Sequence, residues 1–193
     1  MAQRDYLTIV SGLPRSGTSL MMQMIDVGGI PALIDHVRKA DDDNPKGYYE
    51  FEPVKRTKKD ASWVADGPGS VVKMVHLILL DMPLDHRYRV VFMRRKLDEV
   101  VKSQNIMLDR HGKKTDDMPP ERLMDLYRAQ MRKVQNYMNE HADNFKFIEV
   151  SYNDLMNDPK PPVEKVADFL DGLDTEKMLA VVDPSLYRNR AAT

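Results

Sequence analysis

Residues 9–20 read IVSGLPRSGTSL, and this stretch decides the fold because an apolar run passes into a glycine-containing turn and then into a helical pattern. In a strand–turn–helix unit of this kind, the turn amides and the first free N–H groups of the helix converge on one point, where the helix dipole favours negative charge. The stretch therefore predicts a P-loop-like loop that binds a phosphate or sulfate group.

The stretch almost matches the nucleotide-binding pattern GxxxxGK[ST]. Gly12 and Gly17 have the required spacing and Ser19 fills the last position, but Thr18 replaces the lysine. Kinases and NTPases place that lysine on the β- and γ-phosphates and the next hydroxyl on magnesium, so its loss argues against ordinary triphosphate chemistry. A cation is instead present inside the loop, at Arg15.

The same stretch resembles a loop of a known enzyme family. Residues 13–19, LPRSGTS, are similar to the 5′-phosphosulfate loop of sulfotransferases, which reads PxSGTS or PxSGTT with Lys or Arg at the second position. Residues 90–103, VVFMRRKLDEVVKS, are similar to the family's 3′-phosphate motif, a strand that ends in arginine with a serine eight residues later. Arg95 and Ser103 have that spacing, although Lys-Leu follows the arginine where the family usually has Asp or Asn and then Pro.

Later segments also resemble this family. Residues 150–159, VSYNDLMNDP, and 163–170, VEKVADFL, look like its late strand, short Tyr-x-Asp-Leu helix and closing helix. Residues 183–190, DPSLYRNR, look like the arginine-bearing tail of small bacterial-type sulfotransferases. The resemblances keep the family's order and together span nearly the whole chain.

The resemblance implies an enzyme that uses 3′-phosphoadenosine-5′-phosphosulfate (PAPS), releases 3′-phosphoadenosine-5′-phosphate (PAP) and needs no metal. Arg15 would neutralise the charge that grows on the bridging oxygen of the departing nucleotide, while the loop amides hold the 5′-phosphate. Arg95 and Ser103 would bind the 3′-phosphate, and the tail arginines would close over the nucleotide. The nucleotide-binding residues predicted in this way are Arg15, Ser16, Gly17, Thr18, Ser19, Arg95, Ser103, Arg188 and Arg190.

The acceptor hydroxyl or amine also needs a general base, and two residues compete for that role. The cytosolic branch of the family has a strand that ends in Lys-x-His, and this chain has Lys73 and His76, with the histidine displaced by one residue. Other branches use a glutamate from the region after the first helix, which favours Glu50, with Glu52 beside it. His76 and Glu50 rank equally as the base, and Lys73 is the expected sulfonate contact.

Composition limits the other classes of function. The chain has 193 residues with a formal net charge of −1, which fits one domain over residues 1–193 and excludes a global basic field for nucleic acid. It has no cysteine, so disulfides, thiolate metal sites and cysteine catalysis are excluded. The N-terminus has no signal-peptide core and no apolar run reaches membrane-spanning length, so we expect a cytoplasmic protein.

The order of patterns predicts an α/β fold, a three-layer, doubly wound parallel sheet with ligands outside the carboxyl ends of its strands. Apolar or β-branched runs at 6–11, 70–74, 89–93 and 146–150 predict the strands, and helical patterns separate most of them. Residues 29–63 form the least regular segment, and within it residues 44–50, NPKGYYE, resemble an "NPxGYxE" segment of bacterial relatives. This irregular segment is the predicted acceptor side.

Two other functions remain open at this point. A P-loop kinase or related phosphotransferase would bind ATP with magnesium and show no preference for a 3′-phosphate. A catalytically silent module would bind PAP and present the loop to a partner. The acceptor, a small molecule or glycan in our interpretation, and the oligomeric state are not specified by the sequence.

Overall fold

The computed structural model describes residues 4–35, 49–110, 112, 118–183 and 187. Four strands and six α-helices follow one another along these residues, together with short 3₁₀ helices at Glu52–Arg56, Ser62–Asp66 and His76–Asp81. The elements in chain order are β1 (Leu7–Gly12), α1 (Thr18–Val27), β2 (Val71–Val75), β3 (Tyr88–Arg94), α2 (Leu97–Arg110), α3 (Pro120–Glu140), β4 (Phe145–Ser151), α4 (Tyr152–Asn157), α5 (Lys160–Phe169) and α6 (Thr175–Val181).

The four strands form one parallel sheet in the order β2-β1-β3-β4. Each predicted strand is found within about one residue of its predicted bounds. In register, Gly12 lies opposite both Val75 and Met93, and Arg94 lies opposite Ser151, so all four carboxyl ends meet at one edge. The chain passes from β1 to β2 on one side and places β3 on the other, which makes the β1–β3 boundary the topological switch point where such folds bind ligands.

Helices cover both faces of the sheet. One face packs against α1, α4, α5 and α6 through buried side chains such as Val10, Ile25 and Leu155. The opposite face packs against α2 and α3 through Ile9, Phe92 and others. The strands are nearly continuous hydrophobic runs because both of their faces are buried. The predicted three-layer α/β architecture is confirmed.

The irregular segment is attached to the edge of the sheet at β2. Ala32 forms a parallel bridge to Val71, and the Leu33 N–H donates to the Val71 carbonyl at 2.8 Å. Two of the 3₁₀ helices follow before β2 begins. Most of the predicted NPKGYYE segment, residues 44–48, lies outside the described residues, as do Arg188 and Arg190. Within the part of the chain that is described, no helix has the length and apolar character needed to span a membrane.

Candidate active site at the carboxyl edge of the sheet

The loop between β1 and α1 adopts a left-handed conformation at two positions. Arg15 has φ 69° and Gly17 has φ 91°, and α1 begins at the next residue, Thr18. Ser16 closes the turn, because its amide and its hydroxyl both donate to the Leu13 carbonyl, at 3.2 and 2.7 Å. Gly17 supplies no side chain to cap α1. The helix therefore presents its first amides to a ligand at the positive end of its dipole.

Close packing requires both glycines of the GxxxxG spacing. A Cβ on Gly12 would lie 2.6 Å from the Met93 carbonyl oxygen, and a Cβ on Gly17 would lie 2.3 Å from Cδ2 of Tyr152. Both distances are far below van der Waals contact. The spacing that predicted phosphate binding thus also allows β1 to pass close to β3 and the Tyr152 ring to pack against the loop.

A second cation reaches the start of α1 from β2. The Lys73 Nζ donates to the Ser19 Oγ at 3.3 Å, and Lys73 lies opposite Val10 in the sheet. The predicted sulfonate contact is therefore adjacent to the phosphate loop.

The structure brings the two predicted nucleotide motifs together at Arg15. The Arg15 Nε donates to the Ser103 Oγ at 3.0 Å, although 88 residues separate them. The Arg95 Nη1 donates to the backbone carbonyl of Arg15, also at 3.0 Å. Both residues predicted to bind the 3′-phosphate therefore contact the residue predicted to stabilise the leaving group.

Sequence reasoning missed three residues that surround Arg95. The Arg95 Nε donates to Glu99 Oε2 at 2.9 Å. The other carboxylate oxygen, Oε1, accepts from Asn153 Nδ2 at 3.1 Å and from the Tyr187 hydroxyl at 2.9 Å. Residues 95, 99 and 103 recur every four positions. Glu99 and Ser103 lie about one turn apart on α2, and Arg95 precedes its first residue, so this periodicity was the available signal for Glu99. Asn153 and Tyr187 lie within segments that the resemblance had already singled out, but no local pattern marked them.

Two tyrosine rings flank the Arg95 guanidinium. Its central carbon lies 4.5 Å from the centroid of Tyr152 and 5.7 Å from that of Tyr187. Burial raises the pKa of the Tyr152 hydroxyl, while the positive charge of Arg95 opposes that rise. Burial and the hydrogen bond to Glu99 raise the pKa of Tyr187. Both rings therefore remain neutral at physiological pH and present uncharged aromatic surfaces to the cation.

His76, one candidate base, follows β2 directly and is 3% exposed. Its Nε2 lies 3.0 Å from Gln130 Oε1 of α3. Its Nδ1 is buried and makes no hydrogen bond to a described residue. Burial lowers the pKa of the ring, while Gln130 and the nearby Gly12 carbonyl oppose this change. The ring is therefore neutral at pH 7, but it is enclosed by protein.

Glu50, the other candidate base, lies on the irregular segment. Its side chain is 20% exposed and its Oε2 lies 3.3 Å from the Lys55 Nζ. The Glu50 carbonyl accepts from the Asp35 amide at 3.2 Å, and the Asp35 carboxylate accepts from the Glu52 amide at 2.5 Å. Residues 32–33 run parallel to β2, so the chain that continues to Asp35 runs toward the carboxyl edge of the sheet, where the loop lies. Glu50 is hydrogen-bonded to Asp35 and therefore lies toward the same edge. Glu50 is thus the more accessible of the two candidates.

No metal centre is evident in the described part of the chain, where no three His, Asp or Glu side chains cluster in a way that could hold an ion. Backbone amides and the cationic side chains of Arg15 and Lys73 are the features of this edge that could bind an anion.

Two solved structures are similar to this chain over most of its length. One is the sulfotransferase domain from the curacin biosynthetic pathway, with 13% identity and a TM-score of 0.51, covering 94% of this chain and 79% of that one. The other is the sulfotransferase domain from the Synechococcus PCC 7002 olefin synthase, with 16% identity and a TM-score of 0.55, covering 100% and 90%. No protein-family model and no curated protein matches the sequence. At these identities the likeness shows a sulfotransferase-like fold, as the sequence predicted.

Proposed function

We propose that this protein transfers a sulfuryl group from PAPS to a hydroxyl or amine of a small molecule or glycan. One observation carries the proposal: Ser103 and Arg95 of the second motif both contact Arg15 of the phosphate loop. Two motifs distant in sequence thus form one site, at the strand boundary where doubly wound sheets bind nucleotides. The sulfotransferase-like fold supports the same proposal.

The chemistry assigned to the loop is leaving-group stabilisation. The acceptor atom attacks sulfur in line, a new bond to sulfur forms, and the bond between sulfur and the 5′-phosphate oxygen breaks. The acceptor proton passes to the base, and PAP leaves. Arg15 and the amides of residues 16–19 stabilise the charge on the departing oxygen, and Lys73 contacts the sulfonate from the β2 side.

The 3′-phosphate is assigned to the opposite side of the loop. Ser103 and Arg95 lie there, and each forms a direct hydrogen bond with Arg15. Arg188 and Arg190 are proposed to close over the nucleotide from the tail, of which Tyr187 is described and contacts Glu99. This phosphate is what distinguishes PAPS from ATP, so these contacts are the ones that decide nucleotide choice.

We infer that Glu50, rather than His76, accepts the acceptor proton. A base must come within hydrogen-bond reach of the proton that it removes. His76 is almost wholly enclosed and Gln130 lies against its Nε2. Glu50 keeps a fifth of its side chain exposed on the acceptor segment. The Lys55 ammonium lies 3.3 Å from its Oε2.

Calorimetric titration with PAP, AMP and magnesium ATP tests the proposal. We expect wild-type protein to bind PAP about 10- to 100-fold more tightly than AMP, since a 3′-phosphate adds charge-assisted hydrogen bonds. Ser103→Ala should reduce that preference, whereas Ser62→Ala, an exposed serine, should not. Equal or tighter binding of magnesium ATP would overturn the proposal in favour of a kinase. PAP binding without sulfate transfer to any acceptor in a broad screen would indicate the catalytically silent module.

A further inference from the structure

A buried ion pair lies directly against the phosphate loop. The side chains of Arg95 and Glu99 are 7% and 1% exposed, and their contact is 2.9 Å. A carboxylate this deeply buried is unfavourable unless it is paired and its remaining lone pairs accept hydrogen bonds. Here the second oxygen accepts from Asn153 and Tyr187, so both oxygens of Glu99 are engaged.

The same arginine also holds the loop in a disfavoured conformation. Arg15 has φ 69°, a left-handed conformation that is unfavourable for a non-glycine residue unless the surroundings fix it. The Arg95 Nη1 donates to the carbonyl of this residue. The Tyr152 ring, which packs against Gly17, lies under the guanidinium of Arg95. Arg95 thus connects both left-handed positions of the loop to the body of the protein.

We propose that Glu99 is a positioning residue for nucleotide binding, acting through Arg95 to hold the Arg15 carbonyl and so the phosphate loop in its binding conformation. Asn153 and Tyr187 in turn hold the carboxylate of Glu99. The inference rests on the proposed function only in that PAP is the ligand used to test it. It assigns to Glu99 a role that neither the loop pattern nor the 3′-phosphate pattern contains.

The chain supplies a matched control for this ion pair. Lys160 and Glu164 have the same i, i+4 spacing on α5, but their side chains are 71% and 54% exposed and their charged atoms lie 3.9 Å apart. An exposed pair of this kind contributes little to stability and contacts no part of the loop. Glu164→Gln therefore removes the same charge as Glu99→Gln without touching the proposed network.

A double-mutant cycle on PAP affinity tests whether Glu99 acts through Arg95. The proteins are wild type, Glu99→Gln, Arg95→Met and the double variant, each titrated with PAP at 10 °C and each melted to establish that it is folded. We expect Glu99→Gln to weaken PAP binding about tenfold or more, because the guanidinium loses its charged partner. In the Arg95→Met background the same change should alter affinity less than about twofold. Glu164→Gln should bind like wild type.

Several results would overturn the inference. A residue that only stabilises the fold lowers the melting temperature but leaves the affinity of the folded protein unchanged, so unchanged affinity in Glu99→Gln contradicts it. An equal loss of PAP affinity from Glu99→Gln in the presence and in the absence of Arg95 would also contradict the inference. If Glu99→Gln does not fold, the double variant, which removes both buried charges, and Tyr187→Phe, which removes one hydrogen bond to Glu99, decide the question. Tyr187→Phe should weaken PAP binding several-fold, and wild-type affinity there would overturn the inference.

The wild-type titration separates this inference from the proposed function. If wild type binds magnesium ATP instead of PAP, the proposed function fails, and the same cycle measured with magnesium ATP decides the role of Glu99. If wild type binds neither nucleotide, both are wrong.

Discussion

The amino and carboxyl edges of the sheet both carry cations, and those cations have different partners. At the amino end, Arg89 donates to the Phe169 carbonyl at 2.5 Å, pairs with Asp171 at 2.6 Å and lies 4.1 Å over the Tyr6 ring. Arg4 donates to the carbonyls of residues 170 and 172. These cations meet the C-terminus of α5, the negative end of a helix dipole, whose last carbonyls they satisfy.

At the carboxyl end, the cations meet a helix of the opposite polarity. Arg15 and Lys73 lie at the N-terminus of α1, where the dipole is positive and Gly17 provides no capping side chain. Positive charge gathered there is complemented by an anion rather than by the helix itself. The cations at the amino edge thus meet the negative end of a helix, whereas those at the carboxyl edge meet a positive end, where we propose that an anionic ligand binds.

The largest expected effect concerns proton removal at the carboxyl edge. Glu50→Gln should lower turnover about 10²- to 10⁴-fold with little change in PAP affinity, since a base acts on the acceptor and not on the nucleotide. Glu52→Gln, a neighbouring carboxylate that also contacts Lys55, is the matched control and should retain turnover. Sulfate transfer in saturating PAP is the measurement. Full activity in Glu50→Gln would refute its assignment as base.

Loss of the loop cation should have the next largest effect. Arg15→Ala should reduce kcat about 10²- to 10³-fold, because the charge that develops on the leaving group loses its partner. We expect the melting temperature to change by only a few degrees, which distinguishes this arginine from those at the amino end. Arg128→Ala, on the exposed surface of α3, provides the control. An Arg15→Ala protein that melts far below wild type would contradict the distinction between Arg15 and the arginines of the amino edge.

Arg89→Ala should show the reverse pattern at the amino edge. Its loss leaves the Phe169 carbonyl without its arginine donor and should cost about 1–3 kcal/mol of stability, while PAP affinity stays unchanged. Urea unfolding together with calorimetry measures both quantities. Arg87→Ala removes an exposed arginine paired with Asp5 and should be nearly neutral. Reduced PAP affinity in Arg89→Ala would show that the two edges are coupled.

The smallest effects concern pH, and the two edges should respond in different ranges. Burial lowers the pKa of His76 in the folded state, so the unfolded chain binds more protons and stability falls as pH drops below about 6.5. The hydrogen bond from Arg89 lowers the pKa of Asp171, so its contribution is lost only in acid, below about pH 3.8.

Melting curves between pH 3 and pH 8 check this separation. His76→Gln should flatten the slope between pH 5 and pH 6.5 (roughly the titration range of histidine), and Asp171→Asn should flatten only the acid limb. A wild-type melting temperature that is constant down to about pH 5 would contradict the behaviour expected of His76.

Much of the fold was predictable because it depends on local patterns. The β-branched runs, the GxxxxG turn and the helical patterns between the strands all depend on short-range spacing, and the structure confirms the elements that they predicted. The loop followed in the same way, whereas the expectation for Lys73 came from the family resemblance; its Nζ lies beside Ser19 of α1.

The network behind the loop could not be predicted in this way. Glu99 is an acidic residue in the first turns of a helix, and such residues are usually solvated on the helix surface. Its burial depends on Asn153 and Tyr187, which arrive from elements 54 and 88 residues further along the chain. Contacts between residues so far apart in sequence depend on tertiary packing, and a local periodic pattern does not encode them. The choice between His76 and Glu50 was ambiguous for the same reason, since accessibility is a property of the assembled edge.

The pairing of residues 32–33 with β2 has a consequence for the behaviour of the protein in solution. β2 is an outer strand, and a bare outer strand offers its backbone groups to strands of other molecules. The Leu33 N–H donates to the Val71 carbonyl, and the Val71 amide donates to the Pro31 carbonyl at 2.9 Å. Residues 31–33 therefore occupy the backbone groups at the start of this border and hinder intermolecular β-pairing there. Substitutions that detach residues 31–33 from β2 would expose this border and promote aggregation of folded molecules.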